Sequence, residues 1–448
     1  MIIEQAKINC YKSIKQPMLL NLHKINIIIG QNNSGKSNIL DAIQFALQAP
    51  GQASNIFYEK TDLELKVFFN PDEQNRWQLP EPSGIFVQKK SDRELKFTRQ
   101  TLPYNNALSK ILSPQVKRLD EEAFANYRQI ETDYRSLQHF PGFYMRFQEN
   151  LKKHFPKILA SHNALDINYE SDGLYEGERR VTIDRLGSGF RRIFIMLLYI
   201  FHPSYQIVLI DEPETHLHPA LQERLLWAMQ NSDAGQIIFT THSPLFLTPM
   251  TLPQVVRTIK DEKSTKAFGI SHVGGTHGYY DPQRLLQELN ADNLQMFFAD
   301  EVVMVEGMSD KLLLRGLIDH FYEGDKDIKV VQTHGKGNMK VYIDLLRMFE
   351  IPYRIIMDRD VFNHDDLFEL LAHLKIHLPK MSQDELIQEL KKSNVYIFPN
   401  GDLEANYPRK YQKDKSKSLN ALRAVNRISP EDFLSNSMSN LREIVNSL

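Results

Sequence analysis

Apolar positions along this chain fall into two alternating patterns. From Ile25 to Ile29 they are continuous, which predicts a strand buried on both faces of a parallel sheet. Just behind, Ile39, Leu40, Ile43 and Leu47 recur at helical spacing, which predicts an amphipathic helix. Upstream, residues 2–22 show short apolar alternation on either side of a turn from Tyr11 to Pro17, and predict a hairpin. Leu63–Phe69 and Gly84–Val87 read as further strands. From about Asn105 to Ala160 the chain becomes charged and aromatic with few glycines, which predicts a helical insertion over about 105–165. The core pattern resumes at Val181–Ile183. An apolar helix at Ile193–Phe201 and strands at Ile207–Ile210 and Ile237–Phe239 follow, then a mixed stretch, 251–295, predicted to be a linking region.

A second alternation begins near residue 299. Strands are predicted at Glu301–Val305, Ile328–Val331, Tyr353–Met357 and Val395–Phe398. Helices are predicted at Ser309–Tyr322 with Ser309 as cap, at Asn338–Phe349, and near 365–375 and 382–392. Strands alternating with helices predict α/β folds built on parallel sheets. The two alternations predict two domains, 1–295 and 296–448.

Composition narrows the setting. The 448 residues are 42% hydrophobic and 25% charged, as in an ordinary globular protein with ample chain for a large core. No run of 18 apolar residues exists, so no membrane span is expected. The N-terminus lacks the basic-then-apolar plan of a signal peptide, and the single cysteine, Cys10, excludes an intrachain disulfide framework. Both point to the cytoplasm. With a net charge of −2, a nucleic-acid partner would have to be held by local basic patches or through metal ions.

Chemistry enters where the first strand meets the first helix. Gly30-Gln31-Asn32-Asn33-Ser34-Gly35-Lys36-Ser37 fits G-x-x-x-x-G-K-[ST] at every fixed position. Glycines let successive N–H groups turn inward, and the helix N-terminus adds partial positive charge. Lys36 would reach the β- and γ-phosphates of ATP, and Ser37 would hold Mg²⁺. Ile207–Ile210 runs into Asp211-Glu212-Pro213, which supplies the other half of such a site. Asp211 would join the Mg²⁺ shell and Glu212 would polarise the attacking water. The bland alternative is that these acids cap a helix.

The trio GQNNSGKS, DEPETHLHP and TTHS resembles the ATP-binding-cassette ATPases of the SMC and Rad50 type. The resemblance implies that His242 contacts the γ-phosphate, and that Leu186-Gly187-Ser188-Gly189 is a signature loop, with Gly187 where serine is common. It also implies that His216 and His218 lie in a segment used across a dimer. A signature loop does not reach the phosphate loop of its own chain, so a homodimer, or a higher even oligomer, is implied.

In the second half acids stand where strands end. Glu306 closes the first strand and Asp310 follows four residues on. Asp358 and Asp360 follow Tyr353–Met357, and Asp402 and Glu404 follow the last strand. Carboxylates gathered closely repel unless divalent cations neutralise them, so one or two Mg²⁺ or Mn²⁺ ions are expected, suited to phosphodiester hydrolysis. Helix capping along a solvated edge is the bland alternative. V-E-G-x-x-D, then Gly335-Lys336-Gly337-Asn338, then D-R-D resembles a TOPRIM domain. ATPase followed by TOPRIM resembles the OLD family (overcoming lysogenisation defect), which includes effector nucleases of anti-phage systems. That resemblance implies metal-dependent DNA cleavage by Glu306, Asp310, Asp358, Asp360 and Glu404, with a later lysine assisting. Lys417 is the candidate, with Lys413 and Lys415 nearby. Residues 401–427 hold seven basic against three acidic residues, a DNA-binding face or simply a solvated one.

The expected function is thus an ATP-hydrolysing DNA endonuclease of bacterial defence, with or without a partner protein. The competing expectation is a nucleotide-switched clamp or sensor whose second half binds without cutting.

Overall fold

The computed structural model describes residues 2–48, 57–68, 85–90, 94–97, 113–154, 158–160, 166–169, 179–183, 187–261, 263–270, 289–290, 292–335, 338–363, 365–377 and 381–448. The chain forms two compact units, residues 1–274 and 275–448. Their boundary lies upstream of the one expected at 295/296. The reason is visible at Asn293, whose amide donates to Tyr342 Oη at 2.7 Å and to the Gln332 carbonyl at 3.3 Å, tying this segment to the second unit.

In the first unit β1 (Ile2–Tyr11) and β2 (Met18–Asn21) form the expected hairpin. β3 (Ile25–Gly30) is buried throughout, and α1 (Lys36–Gln48) follows the loop it feeds. Each fully buried isoleucine there contributes about 1.5–3 kcal/mol. β4 (Phe57–Phe68), β5 (Ile85–Lys90) and β6 (Glu94–Phe97) extend the hairpin into an antiparallel sheet of order β2-β1-β4-β5-β6. The predicted strand ends Phe69 and Gly84 lie outside the described residues. Ile39, Leu40 and Ile43 of α1 pack in one core with Ile3, Ala6 and Ile8 of this sheet.

The predicted helical insertion needs correction. Its residues 105–112 lie outside the described part, but β7 (Val116–Leu119) is a strand of the core. Next come α2 (Glu121–Ala125), α3 (Tyr127–Gln138) and α4 (Pro141–His154). They do not stand apart from the core. Tyr134 and Phe147 set their rings against Phe194 at 5.6 and 5.5 Å. β8 (Ile158–Ala160), β9 (Asp166–Tyr169) and β10 (Arg179–Thr182) make a small antiparallel sheet of their own rather than joining the main one, and Ile183 just after them is buried.

Phe194 belongs to α5 (Ser188–Ile200), which is buried continuously from Arg192. β11 (Ile207–Asp211), α6 (Pro219–Gln230) and β12 (Gln236–Thr241) follow. The supposed linking region is also core: β13 (Val255–Lys260) pairs parallel with β3, and β14 (Thr265–Phe268) closes that edge. The sheet order is β14-β13-β3-β12-β11-β7, parallel except at β14. Polar residues in β13 (Arg257, Thr258, Lys260) hide it from a hydrophobic pattern.

The second unit is built on a parallel sheet of order β16-β15-β17-β18. Its chain order is β15 (Glu301–Val305), α7 (Met308–Phe321), β16 (Ile328–Gln332), α8 (Met339–Met348), β17 (Tyr353–Met357), α9 (Asp366–Leu374), α10 (Gln383–Lys391) and β18 (Val395–Ile397). α11 (Lys417–Val425), α12 (Pro430–Leu434) and α13 (Ser439–Ser447) follow. α7 is capped at Gly307 rather than Ser309. A Cβ at Gly316 of α7 would stand 2.3 Å from Val425 Cγ1, so only glycine lets α11 lie this close to α7.

Candidate functional site

Each unit collects charge where its parallel strands end. In the first, Gly30 and Gly35 have φ of 150° and 96°, and Asn33 tolerates 62°. The glycines are also required by space: a Cβ would stand 2.4 Å from the Thr258 carbonyl at Gly30 and 2.4 Å from Thr265 Oγ1 at Gly35. Those two threonines come from β13 and β14. Thr258 Oγ1 lies 2.6 Å from Ser34 Oγ, and Thr265 Oγ1 donates to the Ser34 carbonyl at 3.0 Å. The strands missed in the sequence therefore buttress the phosphate loop.

Lys36 Nζ donates to the Gly30 and Gln31 carbonyls at 3.0 and 2.9 Å. Burial holds its ammonium below the usual range, against the pull of Glu212, Asp211 and Glu214. Ser37 Oγ donates to Asp211 Oδ1 at 3.1 Å, and the Thr240 hydroxyl donates to the same oxygen. Asp211 Oδ2 accepts from Arg118 at 2.9 Å. Thr240 Oγ1 also accepts from the Glu212 amide at 3.1 Å, at a residue whose φ is 47°. His242 Nε2 lies 3.5 Å from Glu212 Oε1. Its imidazole is held below its ordinary range by burial and then by Lys36, so it is neutral near pH 7. Glu214 fixes it by accepting from the His242 amide at 2.6 Å, with Oε2 buried and unpartnered.

A cleft of about 630 Å³ opens here, lined by Asn32, Asn33, Gly35, Lys36, Ser37, Glu212 and His242, with Ser13 and Lys260 added by the structure. Sequence reasoning missed Arg118, Glu214 and Lys260. Only Glu214 had a local signal, as the third acid of the DEPE run. Ser188 and Gly189, at the start of α5, are not among the lining residues, and Leu186 lies outside the described residues. Gly189 is required by space, since a Cβ would stand 2.6 Å from the His216 carbonyl.

In the second unit β15 and β17 are direct neighbours, as are β17 and β18, so Glu306, Asp358 and the 402–404 segment meet at one sheet edge. Asp358 is pushed up to about 7 by burial, then by Asp310, Asp402, Asp360 and Glu306. Asp310 is pushed up to about 6 by burial and by Glu404 and Glu306, although it accepts from the Gly307 amide at 2.9 Å. It therefore both caps α7 and belongs to the cluster. Lys417 Nζ stands 3.1 Å from Asp402 Oδ2 and 3.1 Å from Glu404 Oε2. Glu404 Oε1 and Tyr407 Oη are buried without partners. Asp360 is exposed, and Lys336 and Gly337 lie outside the described residues.

Among the described residues no three His, Cys, Asp or Glu side chains are placed together so that they could hold a metal ion. The acids are near enough to repel but not drawn together. In donor chemistry, though not in their present spacing, hard carboxylate oxygens, raised carboxyls and an orphaned Glu404 oxygen suit a divalent cation. The basic stretch is partly neutralised: Lys410 pairs with Asp432 at 2.5 Å and Arg423 with Asp414 at 3.8 Å.

Comparison with known proteins agrees with this division. Residues 1–78 match the AAA ATPase domain family, and residues 56–248 an AAA domain family described with the AbiEii toxin of type IV TA systems. Residues 297–360 match the TOPRIM domain of overcoming lysogenization defect protein-like proteins. The chain is 28% identical to an OLD nuclease of Thermus scotoductus over 46% of its own length and 40% of that protein. It is 26% identical to the endonuclease GajA of Bacillus cereus over 48% and 37%. It is 23% identical to the Old nuclease of Escherichia phage P2 over 73% and 69%. The matched part thus spans about two fifths of the first two relatives. The chain is an α/β protein with an AAA ATPase domain followed by a TOPRIM domain, modules that use nucleotide and divalent metal. In that order of domains, and in these matches, it is similar to the OLD nucleases. Among the described residues no helix is long and apolar enough to cross a membrane.

Proposed function

We propose that this chain is an ATP-hydrolysing, divalent-metal-dependent DNA endonuclease, acting as a homodimer or higher even oligomer in the cytoplasm as an effector of anti-phage defence. The observation that carries the reading is that Glu306, Asp310, Asp358, Asp360, Asp402 and Glu404 stand at the C-terminal ends of neighbouring parallel strands, near enough that burial and mutual repulsion push Asp310 and Asp358 upward. These six acids would hold Mg²⁺ or Mn²⁺. The cation supplies Lewis acidity and an activated water. Asp358, central to the repulsion, is the residue whose loss would cost most.

In the first unit Ser37 and Asp211 would hold Mg²⁺, and Lys36 with the amides of Asn32, Asn33, Ser34 and Gly35 would bind the ATP phosphates. Glu212 is the general base for the attacking water, held by Thr240 at its amide, and neutral His242 donates toward the γ-phosphate. Ser188 and Gly189 of a second subunit would complete the site. Lys417 sits on the cluster to assist cleavage.

Supercoiled plasmid with Mn²⁺, with and without ATP, tests the reading. Glu306→Gln and Asp358→Asn should each slow nicking at least about 100-fold. Cleavage unaltered in both would reject the assignment.

A further inference from the structure

The phosphate loop leaves β3 with different strands on its two flanks. On one side stand β12 and β11, with His242 and Glu212 just past their ends, 3.5 Å apart. On the other side stand β13 and β14. β13 pairs with β3 as far as Thr258 opposite Gly30, and then runs on alongside the loop to Lys260. Side chains alternate along a strand, so Lys260 stands on the same face as Thr258. That face meets the loop, since Thr258 Oγ1 lies 2.6 Å from Ser34 Oγ.

The antiparallel register sets Lys260 opposite Thr265, whose hydroxyl lies 3.0 Å from the Ser34 carbonyl and 2.8 Å from Ser13 Oγ. Ser13 in turn accepts from Asn38, the third residue of α1, at 2.7 Å. Lys260 thus enters the cleft of about 630 Å³ from the flank that also brings Ser13. Its ammonium is not used by the fold: it is exposed, and among the described residues it makes no ion pair. The neighbouring acid is already taken, because Asp261 meets Lys266 at 2.9 Å and accepts from the Lys263 and Ser264 amides at 2.8 and 2.7 Å. Protection of a sheet edge does not account for Lys260 either, since β14 and not β13 is the edge strand.

Resting on the proposed function, we propose that Lys260 binds the α-phosphate side of the nucleotide, a contact common to nucleoside triphosphates and diphosphates. Glu212 and His242 serve the γ-phosphate from the opposite flank, so the two ends of the ligand are held by different strands. Lys260 is then a binding residue with no part in hydrolysis. No covalent step is involved.

Calorimetric titration of the full chain with MgADP, and with a non-hydrolysable analogue of MgATP, tests this. Lys260→Met and Lys260→Gln should each weaken both ligands about tenfold and by the same factor, since one charge-assisted contact to phosphate is lost. Lys260→Arg, which keeps the charge, should stay near wild type. Raising the salt concentration should narrow the gap between wild type and Lys260→Met. Unchanged affinity in both neutral variants would overturn the inference. So would a loss confined to the triphosphate, which would put Lys260 at the γ end. Lys36→Ala separates the two claims, because it should weaken both ligands in any case. If it binds as wild type does, or if wild type binds neither ligand, the nucleotide site itself fails whatever Lys260 does.

Discussion

Asp211 and Asp358 both stand at the C-terminal end of a buried parallel strand, yet they live in opposite surroundings. Asp211 is met by Ser37, Thr240 and Arg118, so its charge is shared before any ligand arrives. Asp358 is met by burial and by other carboxyls. The phosphate cradle is therefore close to balanced in the protein alone, while the acid edge carries an electrostatic load that a cation would remove. An assembled site tolerates ligand absence, and a loaded one converts ligand binding into stability.

The largest effects should come from breaking each site separately. Glu212→Gln should reduce ATP turnover by about 100- to 10,000-fold while leaving nucleotide binding near wild type, measured by phosphate release and by binding of a fluorescent nucleotide. Loss of binding instead would make Glu212 structural. Next in size, Gly30→Ala should destabilise the first unit by about 1–3 kcal/mol, because the added Cβ meets the Thr258 carbonyl and β13 must shift. Thermal melting with and without ATP reads this out.

A pH effect sharpens the contrast. The Asp358 carboxyl ionises near 3.8 when unfolded and near 7 when folded, so the folded state holds more protons between those values. Stability of the metal-free protein should fall as pH rises through that window. Asp358→Asn should flatten the fall and raise the melting temperature at pH 8, and saturating Mn²⁺ should do the same to wild type. The smallest effect is expected at Lys410→Ala. Its ammonium is exposed to solvent and screened, so the melting temperature, ATP turnover and nicking should all stay near wild type.

Much of this contrast was legible from residues alone. The Ile25–Ile29 run, the glycine loop and α1 stand consecutively, so local pattern suffices, and Glu301–Val305 and Tyr353–Met357 are read to the residue. What escaped depends on distant partners. β13 and β14 carry threonines that look like linker until Thr258 and Thr265 meet Ser34 more than 200 residues away. β7 is four residues long and half charged, inside a stretch that is otherwise helical, so Arg118 gave no sign of reaching Asp211. The acids were identifiable at strand ends, but their incomplete convergence and the Lys417 bridge are matters of side-chain placement that spacing does not encode.

The most direct measurement assays one preparation of Asp358→Asn twice, for Mn²⁺-dependent plasmid nicking and for ATP turnover. Two independent phosphate chemistries at two strand edges require nicking to vanish while ATP turnover stays at the wild-type rate. Nicking that persists at the wild-type rate in that protein would contradict the account.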